Sequence, residues 1–321
     1  MAGNLFKVFK VRAPAKINLS LHVAGVRDDG YHELRTTFQS IALHDTLTIR
    51  SRRGPFVLVS DDPACPSDRT NLVWRAAECA WTAAGGRGTM RDVEVQLVKR
   101  IPLQAGLGGG SSDAAAALRA LGSVWGVDDR TLRAMAVSLG ADVPYFLEGG
   151  TVLGLDRGDR LYPLVDHRAA WVTLVLPGFG VSTAEAFRWW DEENPGGPDK
   201  VRPTSGSGVV GRTLSGPASG PVSDLGNDLE DVVAARHPEI VQTVGALRRA
   251  GAFHAAMSGS GSAVFGLFSS RRAADAAGRA LSKGKRVILT RIVNRAAYQR
   301  LAAIPAHRIN LPFASRRPGH S

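Results

Sequence analysis

The chain has 321 residues, of which 44% are hydrophobic and 21% charged, so it can bury a full core and lies far from the composition of a disordered chain. Forty Lys and Arg against 29 Asp and Glu leave +11, which favours anionic partners, yet no run of Lys/Arg exceeds two, which argues against a nucleic-acid-binding arm. Cys65 and Cys79 form no CxxC or zinc-ligand spacing, the N-terminus has no continuous apolar core, and apolar stretches such as 171–176 are too short to span a bilayer. These features predict a soluble, cytoplasmic protein that docks neither nucleic acid nor membrane.

Strict alternation over 17–23 predicts a strand, with Ile17, Leu19, Leu21 and Val23 facing a core and Lys16, Asn18, Ser20 and His22 on the other side. Further strands are expected at 45–50 and 92–98. A helix starting at Ser111/Ser112 carries Leu118, Leu121 and Trp125. A second helix over 129–139 turns Leu132, Met135, Ala136 and Leu139 inward and stops at Gly140. In the second half, an apolar strand at 171–176 precedes a helix at 228–236 with Asn227 as N-cap and Glu230 three residues on. A helix from Pro238 to Ala250, strands at 252–257 and 263–268, a helix at 271–282 and a strand at 286–292 follow. That order is a split βαβ, or ferredoxin-like, unit.

The fold class is therefore α+β, with residues 1–160 as one domain, 161–305 as a second, and 306–321 as a basic tail. Within the second, 16 of the 27 residues from Pro195 to Pro221 are Gly, Pro or Ser, the composition of a mobile insertion. Its literal GxGxxG at 206–211 lacks the flanking strand and helix of a dinucleotide fingerprint and is a chance match.

The strongest chemical signal is Pro102-Leu103-Gln104-Ala105-Gly106-Leu107-Gly108-Gly109-Gly110-Ser111-Ser112-Asp113, followed at once by an Ala-rich helix. Consecutive glycines let backbone N–H groups converge on an anion, and the helix N-terminus adds unpaired donors and positive potential. No GxxxxGK[ST] occurs, so this is not a Walker loop. Ser111 or Ser112 is a candidate Mg²⁺ ligand, since hard cations prefer oxygen.

This segment resembles the second motif of the GHMP kinases (galactose, homoserine, mevalonate and phosphomevalonate kinases). Pro14-Ala15-Lys16-Ile17-Asn18-Leu19 resembles the first motif and Met257-Ser258-Gly259-Ser260-Gly261-Ser262 the third. The segments Arg27-Asp28-Asp29-Gly30-Tyr31-His32 and Gly140-Ala141-Asp142-Val143-Pro144 are similar to the branch that phosphorylates the 2-hydroxyl of a cytidylylated methylerythritol on the non-mevalonate route to isoprenoids. The resemblance implies a ribosomal-protein-S5-like N-terminal domain, a ferredoxin-like C-terminal domain, and ATP with Mg²⁺ as the phosphoryl source.

On the residues alone, Asp142 is a plain turn residue and Lys16 a solvated strand lysine. The resemblance makes Asp142 the catalytic base and sets Lys16 beside it, while Asn18 orients the substrate. It places Asn71 and Lys99 at the adenine, though as bare residues they are a helix start and a surface charge. Gly259 and Ser260, otherwise a hairpin turn, support the phosphate loop and touch the substrate. Tyr31, His32 and Phe187, the last expected in a loop after 171–176, are assigned to the pyrimidine. Asp113 is expected to cap its helix or to serve a metal. The alternatives are a GHMP kinase for homoserine or phosphomevalonate, which Tyr31-His32 argues against, and a non-catalytic nucleic-acid-binding relative, which the intact Lys16, Asp142 and glycine loop argue against.

Overall fold

The alternation seen over 17–23 belongs to a far longer strand. The computed structural model describes residues 8–195 and 225–305, so the 206–211 glycine match, the tail from 306 and nearly all of the 195–221 insertion lie outside the described residues. Strand β1 (Phe9–Val26) pairs antiparallel with β2 (His32–Pro55), with register shifts at Pro14/Lys16, Asn18/Ser20 and Val23/Gly25. The first shift has a consequence for function. Phe9, Val11 and Ala13 pack into the core under the helices, whereas Ala15, Ile17 and Leu19, at the same alternation, pack into a core shared with the second sheet. A bulge turns a strand locally, and here it takes Lys16 and Asn18, both buried, off the exposed face that Lys10 and Arg12 occupy.

Strands β3 (Val57–Ser60), β4 (Arg91–Val98), β5 (Thr151–Leu155) and β6 (Arg160–Pro163) complete the first sheet in the order β3-β4-β2-β5-β6, with β1 on β2. Helices α1 (Leu72–Ala83), α2 (Gly109–Trp125) and α3 (Asp129–Leu139) cover one face of it. Helix α2 is buried on nearly every side because its alanines leave no bulk to hold neighbours away: Ala114, Ala115, Ala116, Ala117 and Ala120 are all buried. It begins two residues before the expected Ser111. Helix α4 (Tyr145–Glu148) is a single turn after Asp142.

The second sheet holds β7 (Trp171–Leu176), β8 (His254–Met257), β9 (Val264–Phe268) and β10 (Arg286–Arg291), all antiparallel, in the order β10-β7-β9-β8. With α7 (Glu239–Arg249) and α8 (Arg271–Leu281) this is the expected split βαβ. Two further helices precede α7: α5 (Thr183–Glu193), absent from the sequence reading, and α6 (Asp228–Arg236), capped by Asn227 as expected. The reciprocal capping by Glu230 does not form, because that carboxylate accepts the backbone N–H of Met257 at 2.6 Å instead. Helix α9 (Arg295–Leu301), also unforeseen, returns to the first sheet, where Tyr298 donates to the Phe146 carbonyl at 2.6 Å. Among the described residues, no helix is long and apolar enough to cross a membrane.

Candidate active site

The glycine loop takes the backbone shape that its composition demands. Gly106 and Gly108 have φ of +71° and +69°, the left-handed region that glycine enters freely. Gly108 is the N-cap of α2 and offers no side chain to the first-turn N–H groups, which leaves them available to an anion. The two hydroxyls expected at the helix start divide. Ser112 is 1% exposed and donates to the Pro14 carbonyl at 2.7 Å, tying α2 to β1, so Ser111, half-buried, is the one left for a cation.

All three motifs meet at this loop. The Lys16 amide donates to the Leu107 carbonyl at 3.1 Å. The Ser258 hydroxyl donates to the Gly106 carbonyl at 3.0 Å and accepts the Asn18 amide at 3.3 Å. Gly259 is packed so closely that a Cβ there would lie 3.1 Å from Asn18 Oδ1 and 3.3 Å from Lys16 Nζ. Asn227, the α6 cap, holds the same turn by donating to the carbonyls of Met257 and Gly259, both at 2.8 Å. Gly259 and Ser260 thus lie in a β8–β9 hairpin that also presses on the glycine loop. Ser260 Oγ lies 3.1 Å from Thr183 Oγ1 at the start of α5.

Lys16 is buried and Asp142 about one-third exposed, with Nζ and Oδ2 3.4 Å apart. The sequence alone gave a solvated lysine, and the bulge at Pro14/Lys16 is the reason it is not one. The same ammonium donates to Asn18 Oδ1 at 2.6 Å, and Asn18 Nδ2 donates to Thr36 Oγ1 at 2.7 Å. Both polar ends of Asn18 are therefore committed inside the protein, and the side chain holds Lys16 rather than reaching outward.

Tyr31 is 55% exposed, with the Arg157 guanidinium 5.0 Å from its ring centre. His32 stacks on Phe187 with centroids 4.4 Å apart and meets Asp191 Oδ1 at 2.8 Å through Nε2. Phe187 and Asp191 sit on α5, so Phe187 is a helix residue and not the loop residue the sequence suggested. The signal was present: Ser182 and Glu185 form a full capping box, an S-x-x-E pattern. Arg157, Trp190 and Asp191 join this aromatic corner without any motif to announce them.

Asn71 and Lys99 keep plainer partners than expected. Asn71 caps α1, accepting from the Val73 amide at 2.8 Å and donating to the Pro66 carbonyl at 2.6 Å. Lys99 is no surface charge. Its side chain is 3% exposed and its ammonium is shared between Asp45 and Asp113 beneath the loop. Burial opposes that charge, but Asp113 and Asp45 outweigh it and push the Lys99 pKa up to about 12. Asp113 does not cap α2, whose N-cap is Gly108. It is buried against Lys99, and burial beside Asp45 holds its carboxyl well above the usual range despite the lysine. Among the described residues, no group of three His, Cys, Asp or Glu side chains could hold a metal.

Residues 71–150 match the GHMP kinases N terminal domain and 220–286 the GHMP kinases C terminal domain. A 4-diphosphocytidyl-2-C-methyl-D-erythritol kinase of Pelotomaculum thermopropionicum is 41% identical, covering 89% of this chain and 99% of its own length. The corresponding kinase of Moorella thermoacetica is also 41% identical, over 81% of this chain and 90% of its own. A crystal structure of 4-(cytidine 5'-diphospho)-2C-methyl-D-erythritol kinase superposes with a TM-score of 0.69 at 34% identity, covering 88% of this chain and 99% of that one. A homoserine kinase from Cytophaga hutchinsonii, at 21% identity and a TM-score of 0.62, shares the fold.

Proposed function

The chain belongs to the 4-diphosphocytidyl-2-C-methyl-D-erythritol kinases, within the GHMP kinases, and from that premise we propose that it moves the γ-phosphoryl group of ATP to the 2-hydroxyl of 4-diphosphocytidyl-2-C-methyl-D-erythritol. The step serves isoprenoid precursor synthesis. The observation that carries this reading is the Lys16–Asp142 pair at 3.4 Å, set beside a glycine loop that opens a helix. Phosphoryl transfer asks a protein for position, charge neutralisation and an acceptor for the hydroxyl proton, and this corner supplies each.

The polyphosphate of ATP lies over Gly106–Ser111, where the uncapped first turn of α2 offers N–H donors and a positive dipole end. Mg²⁺ fits the donor set as a cation carried mainly by the ATP phosphates, with the Ser111 hydroxyl as its protein oxygen, and when bound it neutralises phosphate charge. Asp142 takes the proton of the acceptor hydroxyl as the new P–O bond forms. Lys16, 3.4 Å from that carboxylate, favours negative charge on the transferring group. Asn18 fixes the lysine through its 2.6 Å hydrogen bond. The cytidine end lies at Tyr31, His32 and Phe187. His32 covers Phe187 in this structure, so the base must either replace that stack or extend it. We assign nucleotide binding to the six-stranded sheet and closure over it to the four-stranded sheet. The changeover then falls between the end of β6 at Pro163 and the start of β7 at Trp171, a few residues beyond the expected boundary at 160.

The test is a coupled assay for ADP release, run with and without the cytidylylated acceptor. Acceptor-dependent release is expected from the wild type. Asp142→Asn should lose about 10²–10⁴-fold in kcat while still binding ATP. Lys16→Met should also lose kcat, and the double variant less than the product of the two, as for residues that act as a unit. Near-wild-type turnover by Asp142→Asn removes it from the mechanism, and ADP release independent of the acceptor removes the substrate.

A further inference from the structure

The glycine loop hangs from two ends, and one buried carboxylate joins them. Asp45 opens the second half of β2 and is 0% exposed. Its Oδ1 accepts the backbone N–H groups of Arg100, in a short hydrogen bond, and of Ile101, at 2.8 Å, the two residues that lead into the loop. Its Oδ2 accepts Lys99 Nζ, and the same ammonium donates to Asp113 Oδ2 at 2.7 Å, inside the first turns of α2 where the loop ends. Lys99 also lies directly under the loop: a Cβ on Gly109 would sit 3.5 Å from its Nζ and 3.0 Å from Ile101 Cγ2. Entry strand, loop floor and exit helix are thus one ionic cluster.

Stability alone is a poor reason for such a cluster. Buried ion groups seldom outperform apolar packing, because desolvation offsets their attraction. This one carries two acids to one base and leaves Asp113 Oδ1 buried with no hydrogen-bond partner, a further cost. What the cluster does supply is a fixed separation between residue 101 and helix α2, and hence a fixed curvature of the backbone between them.

We infer that Asp45, acting through Lys99 and Asp113, is a positioning residue that holds the 102–113 loop in its nucleotide-binding shape. All three side chains are buried beneath the loop. The inference rests on the loop being the ATP site, and it makes a prediction of opposite sign to simple electrostatics. An acid beneath a phosphate site repels the ligand, so removing its charge should tighten ATP binding if charge were all that mattered. If Asp45 braces the loop, removing it weakens binding.

The experiment is calorimetric titration of wild type and Asp45→Asn with ADP and with a non-hydrolysable ATP analogue, together with KM for ATP and for the acceptor. Asp45→Asn keeps the size but turns an amide N–H toward the Lys99 ammonium, which cannot accept it. Nucleotide affinity and KM for ATP should worsen by roughly 10–100-fold, the scale of a misplacement of about 1 Å. The acceptor KM should stay put, a split that general destabilisation would not produce. Unchanged or tighter nucleotide binding in a folded Asp45→Asn overturns the brace. If Asp45→Asn does not fold, the double variant Lys99→Met/Asp113→Leu decides. It removes the ionic link, leaves the Asp45 backbone contacts, and replaces charge with apolar volume. Wild-type nucleotide affinity in that variant overturns the brace, and a comparable loss upholds it. Should the wild type itself bind neither nucleotide, the ATP-site reading falls and the brace with it. Binding by wild type and variant alike removes the brace only.

Discussion

Gly106→Ala tests the joint between the second and third motifs. A Cβ built at Gly106 would lie 1.9 Å from the Ser258 carbonyl oxygen, 3.0 Å from its carbon and 3.1 Å from the Gly261 nitrogen. Carbon and oxygen approach no closer than about 3.3 Å even in favourable contacts, so the two loops must part by more than about 1 Å. Both obstacles are backbone, and no rotamer change relieves them. Parting the loops breaks the hydrogen bond from Ser258 Oγ to the Gly106 carbonyl, at 3.0 Å, and strains the one it accepts from Asn18, already at 3.3 Å. The φ of +71° adds about 1–2 kcal/mol for an alanine, and each lost hydrogen bond about 0.5–1.5 kcal/mol. A total of about 2–4 kcal/mol should lower Tm by roughly 3–6 °C for a chain of this size. Turnover should fall about 100-fold, because Lys16 and Asn18 lie on the same joint. Gly110→Ala is the control for stability, since the nearest atom to its Cβ is Leu72 Cδ1 at 3.9 Å and its Tm should stay near wild type. Wild-type melting and turnover in Gly106→Ala would show that the three motifs do not depend on one another.

Tyr31→Ala should raise the acceptor KM by the equivalent of about 1–3 kcal/mol, the value of one aromatic stacking face, while Tm moves little because the ring is 55% exposed. An unchanged acceptor KM moves the pyrimidine elsewhere. His32→Ala should narrow the preference for cytidylyl over uridylyl acceptors, measured as the ratio of kcat/KM values, and an unaltered ratio would take His32 off the base edge. His254 gives a pH dependence. Burial lowers its pKa to about 4, with nearby Arg248 and His167 acting in the same direction against a hydrogen bond to the Leu19 carbonyl. A folded value below the unfolded one stabilises the fold above about pH 6.5, and the contribution is lost as pH falls toward 4. Up to about 3 kcal/mol is at stake. Melting curves from pH 7 to 4 should show a slope that His254→Gln flattens, and equal slopes in both proteins would place the acid sensitivity elsewhere.

Local chemistry determined much of this protein before folding is considered. Four glycines within Gly106–Gly110 permit the left-handed backbone found at Gly106 and Gly108, a freedom that belongs to the residues themselves. Alternation over 17–23 and 92–98, the Asn227 cap and the stop at Gly140 are written in neighbouring residues, and the corresponding elements stand where they were expected. Even the start of α5, which carries Phe187, is marked locally by the S-x-x-E capping pattern of Ser182 and Glu185.

Partners distant along the chain were another matter. Lys16 looked solvated because nothing nearby in sequence buries it. The register shift beside Pro14, the core shared between the two sheets, and Asp142 at a separation of more than a hundred residues do so together. Lys99 read as a surface charge and Asp113 as a helix cap or metal-linked group, because a helical or strand period says which face a residue occupies and not whose charge lies opposite. Asp45 carried no motif at all. Its function resides in two backbone amides and one ammonium that only the pairing of β2 with β4 brings within reach. A sequence specifies the conformations its own residues prefer. Which charges are neutralised, and by what, is decided when separate strands and helices share one interior, because only there does an unpaired charge cost enough to select its partner.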